Sequence, residues 1–316
     1  MEVIRGTEGC QRPAEGSAVT IGVFDGVHLG HQLLLGEARR LAAELGARST
    51  VVTFDKHPAS VVRPTSAPLL LTDLEQRLEL LAAAGIECTQ IIEFDEVRAK
   101  EPAEDFVREV LVGCLGARAV IIGEDFHFGH NRTGDLALLR RMGAEHRFEV
   151  DGIPLMSSAA RGVQPVSSTA IRRALAEGDL IGANRMLGRP HEVRGIVHAG
   201  DKRARELGMP TANVHVPEWL QLPADGVYAG WYVRPDGSTH PTVISVGRRP
   251  TFYDEGDAAR LVEAHLMAFD GDLYGEHAKV RFTDVVRLGQ IKFDSMDALA
   301  EQMAHDAGVA REALGR

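Results

Sequence analysis

The sequence predicts an α/β domain built on a Rossmann-like parallel sheet over residues 1–187. A small antiparallel β-barrel with a C-terminal helix follows over residues 188–316. Three observations carry this reading. Apolar runs alternate with amphipathic stretches through the first half, the pattern of a parallel sheet covered by helices on both faces. After Gly188-Arg189-Pro190 the segments become short, alternating and punctuated by Gly, Pro and Asp, as in a compact barrel. The length of 316 residues suits two domains, since one domain usually takes about 100–200 residues.

Val19–Val23 reads as a buried strand, and Leu33–Leu45 as an amphipathic helix stopped by Gly46. Ser49–Phe54 is the second strand. Thr72–Ala84 is a helix in which Thr72 serves as cap, Glu75 completes a capping box and Gly85 ends the run. Cys88–Phe94 and Ala119–Ile122 are strands, separated by a helix over Pro102–Leu115 that opens on proline and closes before Gly116. A helix over Gly134–Met142 and a short strand over Phe148–Val150 follow. Ser167–Glu177 and Leu180–Leu187 are short helices. The barrel strands are expected at Glu192–Val197, Gly226–Val233, Thr242–Val246, Leu261–Ala268 and Ala278–Val286. A last helix runs over Ser295–Ala307 with Ser295 as cap.

The formal net charge of −10 argues against a broad nucleic-acid surface. No apolar run approaches the roughly 20 residues that cross a bilayer, and the N-terminus lacks the apolar core of a signal peptide. Cys10, Cys88 and Cys114 stand apart, and an odd count makes a poor disulfide framework, so a reducing cytoplasm is the simplest compartment. Composition leaves a homo-oligomer open.

Val19 to His31 is the most informative stretch. An apolar strand runs through Gly22, Phe24, Asp25 and Gly26 into His28-Leu29-Gly30-His31 at the start of a helical pattern. A strand, a tight glycine turn and a helix N-terminus form an anion site, because unpaired N–H groups and the helix dipole face the ligand. Two imidazoles there can donate hydrogen bonds to phosphate oxygens. Gly22 and Gly26 alone would read as turn glycines, and Asp25 serves equally well as a turn-fixing carboxylate. Loops carrying His57, Asp125 and Ser167-Ser168-Thr169 with Arg172 leave the same end of the sheet. His57, before Pro58, could equally pack in its loop, and the hydroxyl run could be a helix cap.

The H-x-G-H signature resembles that of the nucleotidylyltransferase superfamily. With the loops just named, it is similar to the adenylyltransferase module of the bacterial bifunctional riboflavin kinase/FAD synthetase family, over nearly the whole chain. The resemblance implies that His28 and His31 contact the ATP phosphates. It gives Ser167, Ser168, Thr169 and Arg172 the β- and γ-phosphates, and sets Asp125 near the adenine or ribose and the flavin. The FMN phosphate would attack the α-phosphorus in line and pyrophosphate would leave, so catalysis would be positioning and electrostatics. Lys56 stands where the family has Pro, and His127 where Arg is common.

Gly200-Asp201-Lys202-Arg203-Ala204-Arg205-Glu206-Leu207-Gly208-Met209-Pro210-Thr211-Ala212-Asn213 is the second informative stretch. Thr211 and Asn213 point the same way if the segment is extended, and oxygen ligands of that kind suit Mg²⁺. Read without relatives, they would make a turn, and Glu263 a solvent-facing strand residue. Pro-Thr-Ala-Asn resembles the hallmark of the riboflavin kinase module. That resemblance makes Gly200, Lys202, Arg205, Gly208 and Pro210 parts of the nucleotide loop. It makes Thr211 and Asn213 the Mg²⁺ ligands, and Glu263 the base that takes the proton from the 5′-hydroxyl of riboflavin. Asp272–Gly275 and Lys292–Ser295 also match family landmarks.

This half departs more from the pattern. Ala204 replaces a Gly, Met209 an aromatic, and Arg248-Arg249 occupies a loop where the first position is usually smaller or polar. Arg287 is shifted by one, leaving Leu288 in its place. A strand slipped by one residue turns its side chains to the other face. The expected activity is bifunctional: riboflavin to FMN, then FMN to FAD, with ATP as co-substrate of both. The rivals are an adenylyltransferase with an impaired kinase barrel, a non-catalytic flavin-binding regulator, and a nucleotidylyltransferase using another acceptor such as pantetheine phosphate.

Overall fold

The computed structural model describes residues 1–154, 166–198, 210–247 and 260–315. The chain forms two compact units, Met1–Ser168 and Thr169–Arg316. The helices that precede residue 188 thus belong mostly to the second unit, a division earlier than the change of sequence pattern.

In the first unit, β1 (Glu2–Arg5), β2 (Ser17–Ile21), β3 (Arg48–Phe54), β4 (Cys88–Ile92), β5 (Ala117–Gly123) and β6 (Glu149–Ile153) form one sheet in the order β1-β4-β3-β2-β5-β6. Every pairing is parallel. The helices are α1 (Leu29–Leu45), α2 (Pro58–Val62), α3 (Leu74–Ala83), α4 (Ala103–Phe106) and α5 (Leu136–His146), with π-wound turns over Val107–Cys114 continuing α4. Strands β2, β3 and β4 are buried along nearly their whole length, polar residues such as Thr20, Thr53 and Gln90 included. A core cluster packs Val19, Val52, Ile92, Val120 and Ile122 against Val107, Leu111, Leu139 and Met142. Gly46 closes α1 in the left-handed conformation, φ 58°.

Three differences from the sequence reading have local causes. Helix α1 begins four residues early, because the His28 ring caps it. Asp73, not Thr72, caps α3 by accepting from the Gln76 N–H, since Thr72 is engaged elsewhere. Strand β1 carries mostly exposed residues and gives no buried-strand pattern.

Cys10 and Cys114 form a disulfide, with Cα atoms 5.6 Å apart. This corrects the expectation of unpaired cysteines; the pair lies 104 residues apart in sequence and left no spacing signal. Cys88 is buried and free. A thiol titration of denatured, unreduced protein is expected to count one thiol, and a count of three would mean the pair is open.

In the second unit, α6 (Ser168–Glu177, whose first residue closes the first unit) and α7 (Leu180–Leu187) precede a closed barrel. Its strands are β7 (His191–His198), β8 (Ala212–His215), β9 (Gly226–Val233), β10 (Thr239–Gly247), β11 (Leu261–Leu266) and β12 (His277–Leu288), in the order β10-β11-β8-β7-β12-β9. Helix α8 (Met296–Leu314) follows, with the Ser295 hydroxyl accepting from the Ala298 N–H. Asn184 of α7 joins helix to barrel, accepting from the His191 N–H at 2.7 Å and donating to the Phe282 carbonyl at 2.9 Å.

His191 is buried, and its Nε2–H donates to the Gln221 carbonyl at 2.9 Å. Burial lowers its pKa from 6.5 to about 4. The folded state therefore favours the neutral ring. Its contribution is complete above the unfolded value and is lost as pH falls through about 4. The full loss is about 3 kcal/mol by linkage. Urea midpoints are expected to fall across that window, less steeply in His191→Gln; equal slopes would contradict this.

Candidate functional site

Strand β2 has β3 on one side and β5 on the other, and the chain reverses its direction of travel across the sheet there. Ligands of open parallel sheets bind outside the carboxyl ends of the strands at such a switch point. The turn that leaves β2 carries positive φ at Phe24 (51°), Gly26 (84°) and Val27 (39°). Left-handed Phe and Val persist only where surroundings over-determine the backbone, as at active sites. Here they do. The Asp25 carboxylate accepts from the Leu71 N–H at 2.8 Å and the Thr72 N–H at 3.1 Å. The Gly26 N–H donates to the Thr72 hydroxyl at 3.1 Å. Phe24 and Val27 sit in a core cluster with Leu35, Val51, Leu81 and Ile86.

This turn delivers His28 to the N-cap of α1. Its Nδ1 accepts from the His31 N–H at 3.2 Å. That fixes the tautomer: Nδ1 is the acceptor, and Nε2 carries the proton. The two imidazoles stack, centroids 3.6 Å apart and 16° from parallel. Gly30 allows the approach, since a Cβ there would meet the His28 ring at 3.2 Å and the Val166 carbonyl at 3.3 Å. His31 is held neutral, its pKa well below 6.5, first by burial, then by His28 and Arg77. Its Nδ1 is buried with no protein hydrogen-bond partner among the described residues.

The other predicted residues of this half fall as follows. Ser168, at the start of α6, donates to the Asp25 carbonyl at 2.9 Å, which joins it to the turn; Ser167 is adjacent. Gly22 donates its N–H to the Val52 carbonyl at 3.0 Å and ends the ladder beside the crevice. His57 caps α2, its Nδ1 accepting from the Ala59 N–H at 3.0 Å, so it too carries its proton on Nε2. Asp125 is exposed in the turn after β5, across the switch point from His28. Thr169 and Arg172 lie on α6 in the second unit. Phe24 and Asp25 depart from their expected ligand role. At 1% and 3% exposure their side chains are built into the turn, and their reach toward a ligand is through the backbone. Arg77 of α3, which sequence reasoning passed over, is buried beneath the turn.

The second unit holds a cavity of about 800 Å³ between the outer face of the barrel and α8, flanked by the segment that leads into that helix. Leu261, Glu263 and His265 of β11 alternate onto its wall, as period-two geometry requires. Thr211, Val243, Ser245, Arg287, Phe293, Leu299 and Met303 line it as well. Glu263 lies directly opposite Asn213 on β8 and Ser245 on β10. Pro210 is placed by its carbonyl, which accepts from His265 Nδ1 at 2.9 Å. A mostly apolar wall with a few convergent polar groups suits a flat aromatic ligand carrying a polar tail.

β12 bulges twice against β9, between Phe282 and Asp284 and between Val285 and Arg287; Arg287 lines this wall, and Leu288 is 51% exposed. Arg287 Nε donates to Asp306 of α8 at 3.0 Å, and Gln302 donates to the other carboxylate oxygen at 2.8 Å. Among the described residues no group of three His, Cys, Asp or Glu is arranged to hold a metal. Gly200, Lys202, Ala204, Arg205, Gly208, Met209, Arg248 and Arg249 lie outside the described residues.

Residues 10–170 match the family model of FAD synthetase, and residues 187–314 that of riboflavin kinase. Curated relatives described as bifunctional riboflavin kinase/FMN adenylyltransferase align over nearly the full length of both chains. That of Pseudomonas fluorescens is 37% identical over 98% of this chain and 97% of its own. That of Haemophilus influenzae is 35% identical over 98% of each, and that of Escherichia coli K12 35% identical over 100% of this chain and 98% of its own. A crystal structure described as a macrolide-efflux protein from Streptococcus pneumoniae superposes with a TM-score of 0.85 at 28% identity, covering 98% of this chain and 99% of that one. No described helix of this chain is long and apolar enough to cross a membrane.

Proposed function

Since the chain belongs to the bifunctional riboflavin kinase/FMN adenylyltransferase family, we propose that its two activities are carried by the two sites just described, one in each unit. The chain phosphorylates riboflavin to FMN with ATP and adenylylates FMN to FAD with release of pyrophosphate. The adenylyltransferase module is residues 1–187 and the kinase module 188–316, with α6 and α7 bridging sequence module and compact unit.

The stacked imidazoles at the α1 N-terminus carry the adenylyl-transfer reading. Neutral His28 and His31 donate to the ATP phosphates, and the first N–H groups of α1 add a partial positive charge. Ser167 and Ser168 hold the β- and γ-phosphates, while Asp125 and His57 flank nucleotide and flavin. The FMN phosphate oxygen attacks the α-phosphorus and the bond to pyrophosphate breaks; no protein nucleophile takes part.

In the barrel, Glu263 on the cavity wall takes the proton from the ribityl 5′-hydroxyl as that oxygen bonds the γ-phosphorus of ATP and ADP leaves. Thr211 and Asn213, oxygen donors beside Glu263, hold Mg²⁺ together with the nucleotide phosphates. The ion would supply neutralisation of phosphate charge. Gly200, Lys202, Arg205, Gly208 and Pro210 form the loop over that nucleotide. The acidic chain works in the cytoplasm on small molecules rather than nucleic acid, as a monomer or a homo-oligomer.

Purified protein given riboflavin, ATP and Mg²⁺ is expected to yield FMN and then FAD. No product from riboflavin, with FAD restored by added FMN, would instead mean an idle kinase barrel. The cavity lined by Glu263, Thr211 and Arg287 favours the active form.

A further inference from the structure

We propose that Arg77 is a positioning residue for adenylyl transfer, its guanidinium locking the turn that presents His28 and His31; this rests on the role given above to that pair. On the outer face of an amphipathic helix an arginine reads as solvated, yet Arg77 is 2% exposed. It reaches back from α3 to the carboxyl ends of β2 and β3. Its Nη1 donates to the Val23 carbonyl at 2.6 Å and to the Thr53 hydroxyl at 3.2 Å. The Thr53 hydroxyl donates to the same carbonyl at 3.1 Å, closing a triangle on the last residue before the left-handed turn.

The choice of a cation is the informative part. A neutral donor would hold a carbonyl as well. No carboxylate lies within ion-pair distance of Arg77 among the described residues, and its Nε has no hydrogen-bond partner there. An uncompensated buried charge is unfavourable for the fold alone. It becomes useful where an anion binds nearby. The charged groups around it are Asp25, Asp55 and Asp73, which offset its burial in part, and His28 and His31 above it. Asp25 already accepts the Leu71 and Thr72 N–H groups. The cation thus sits beneath the turn that carries the two rings, and it disfavours a positive charge on His31. His31 stays a neutral donor above a fixed cation.

Three measurements on the full-length protein test this: FMN-to-FAD turnover, riboflavin phosphorylation, and the His31 ring titration by NMR. Arg77→Gln is expected to lower kcat for FAD formation at least tenfold and to move the His31 titration upward. Riboflavin phosphorylation should stay within twofold. Arg77→Lys keeps the charge but not the planar fork, so kcat should fall while the His31 titration stays in place. A wild-type kcat in Arg77→Gln overturns the proposal, as does a lower kcat with an unmoved titration. Should Arg77→Gln fail to fold, Arg77→Lys decides, and wild-type turnover there overturns the locking role. Full FAD formation by His31→Ala would overturn the parent reading instead, whatever the Arg77 variants do.

Discussion

His31→Ala is expected to abolish FAD formation from FMN and to leave FMN formation from riboflavin at the wild-type rate. The imidazole stands in the first turn of α1, stacked on His28 and held neutral by burial and two neighbouring groups. Its Nδ1 has no protein partner among the described residues, although a buried polar atom is normally satisfied. On the function proposed above, a phosphate oxygen of ATP would satisfy it. Removing one preorganised donor to a developing charge costs about 10²–10³ in rate, or about 3–4 kcal/mol. The two rings stack on each other, so the double change His28→Ala with His31→Ala should cost less than the product of the single losses. Separation of FMN and FAD by chromatography reads both activities from one reaction. Equal loss of both would mean that the change acts on the whole fold.

Glu263→Ala is expected to remove FMN formation and spare the conversion of FMN to FAD. The carboxylate faces the barrel cavity between Asn213 and Ser245, where a riboflavin hydroxyl and a nucleotide can meet. A positioned general base contributes about 10²–10⁴ in rate. Glu263→Gln keeps the shape and the cross-strand neighbours yet cannot take the proton, so it should lose nearly as much. If Glu263→Gln retains wild-type phosphorylation, the carboxylate is a wall residue and not the base.

The alternation of strand and helix was legible because β2, β3, β4 and β5 are buried on both faces and are rich in apolar and β-branched residues. Five barrel strands were legible by alternation, as at Leu261–Leu266, whereas the four-residue β8 was not named as a strand. Strand β1 was not, since an edge strand with exposed side chains carries no such pattern. The start of α1 was missed because histidine is an unusual cap, and only the Nδ1 contact with the His31 N–H reveals it. Site residues were legible where their chemistry is rare in sequence, as in two histidines around Gly30. Residues with ordinary surface chemistry were not. Arg77 in Leu-Glu-Gln-Arg-Leu looks like a solvated helix face until β2 and β3 are placed under it. Asp25 could be read two ways, and the loop 71–72 that binds its carboxylate lies 46 residues away. The two bulges of β12 leave no mark in the sequence that distinguishes them from a slipped strand.

The central claim is that two separate pockets handle ATP, each directing a different phosphorus atom to a flavin. A mixing experiment tests it most directly. His31→Ala protein and Glu263→Ala protein, each unable to turn riboflavin into FAD, are combined with riboflavin, ATP and Mg²⁺. Two independent pockets predict that FMN released by the first variant is adenylylated by the second, so FAD accumulates only in the mixture. No FAD in the mixture, with FMN conversion also absent from Glu263→Ala protein alone, would mean that the two changes damage a single site.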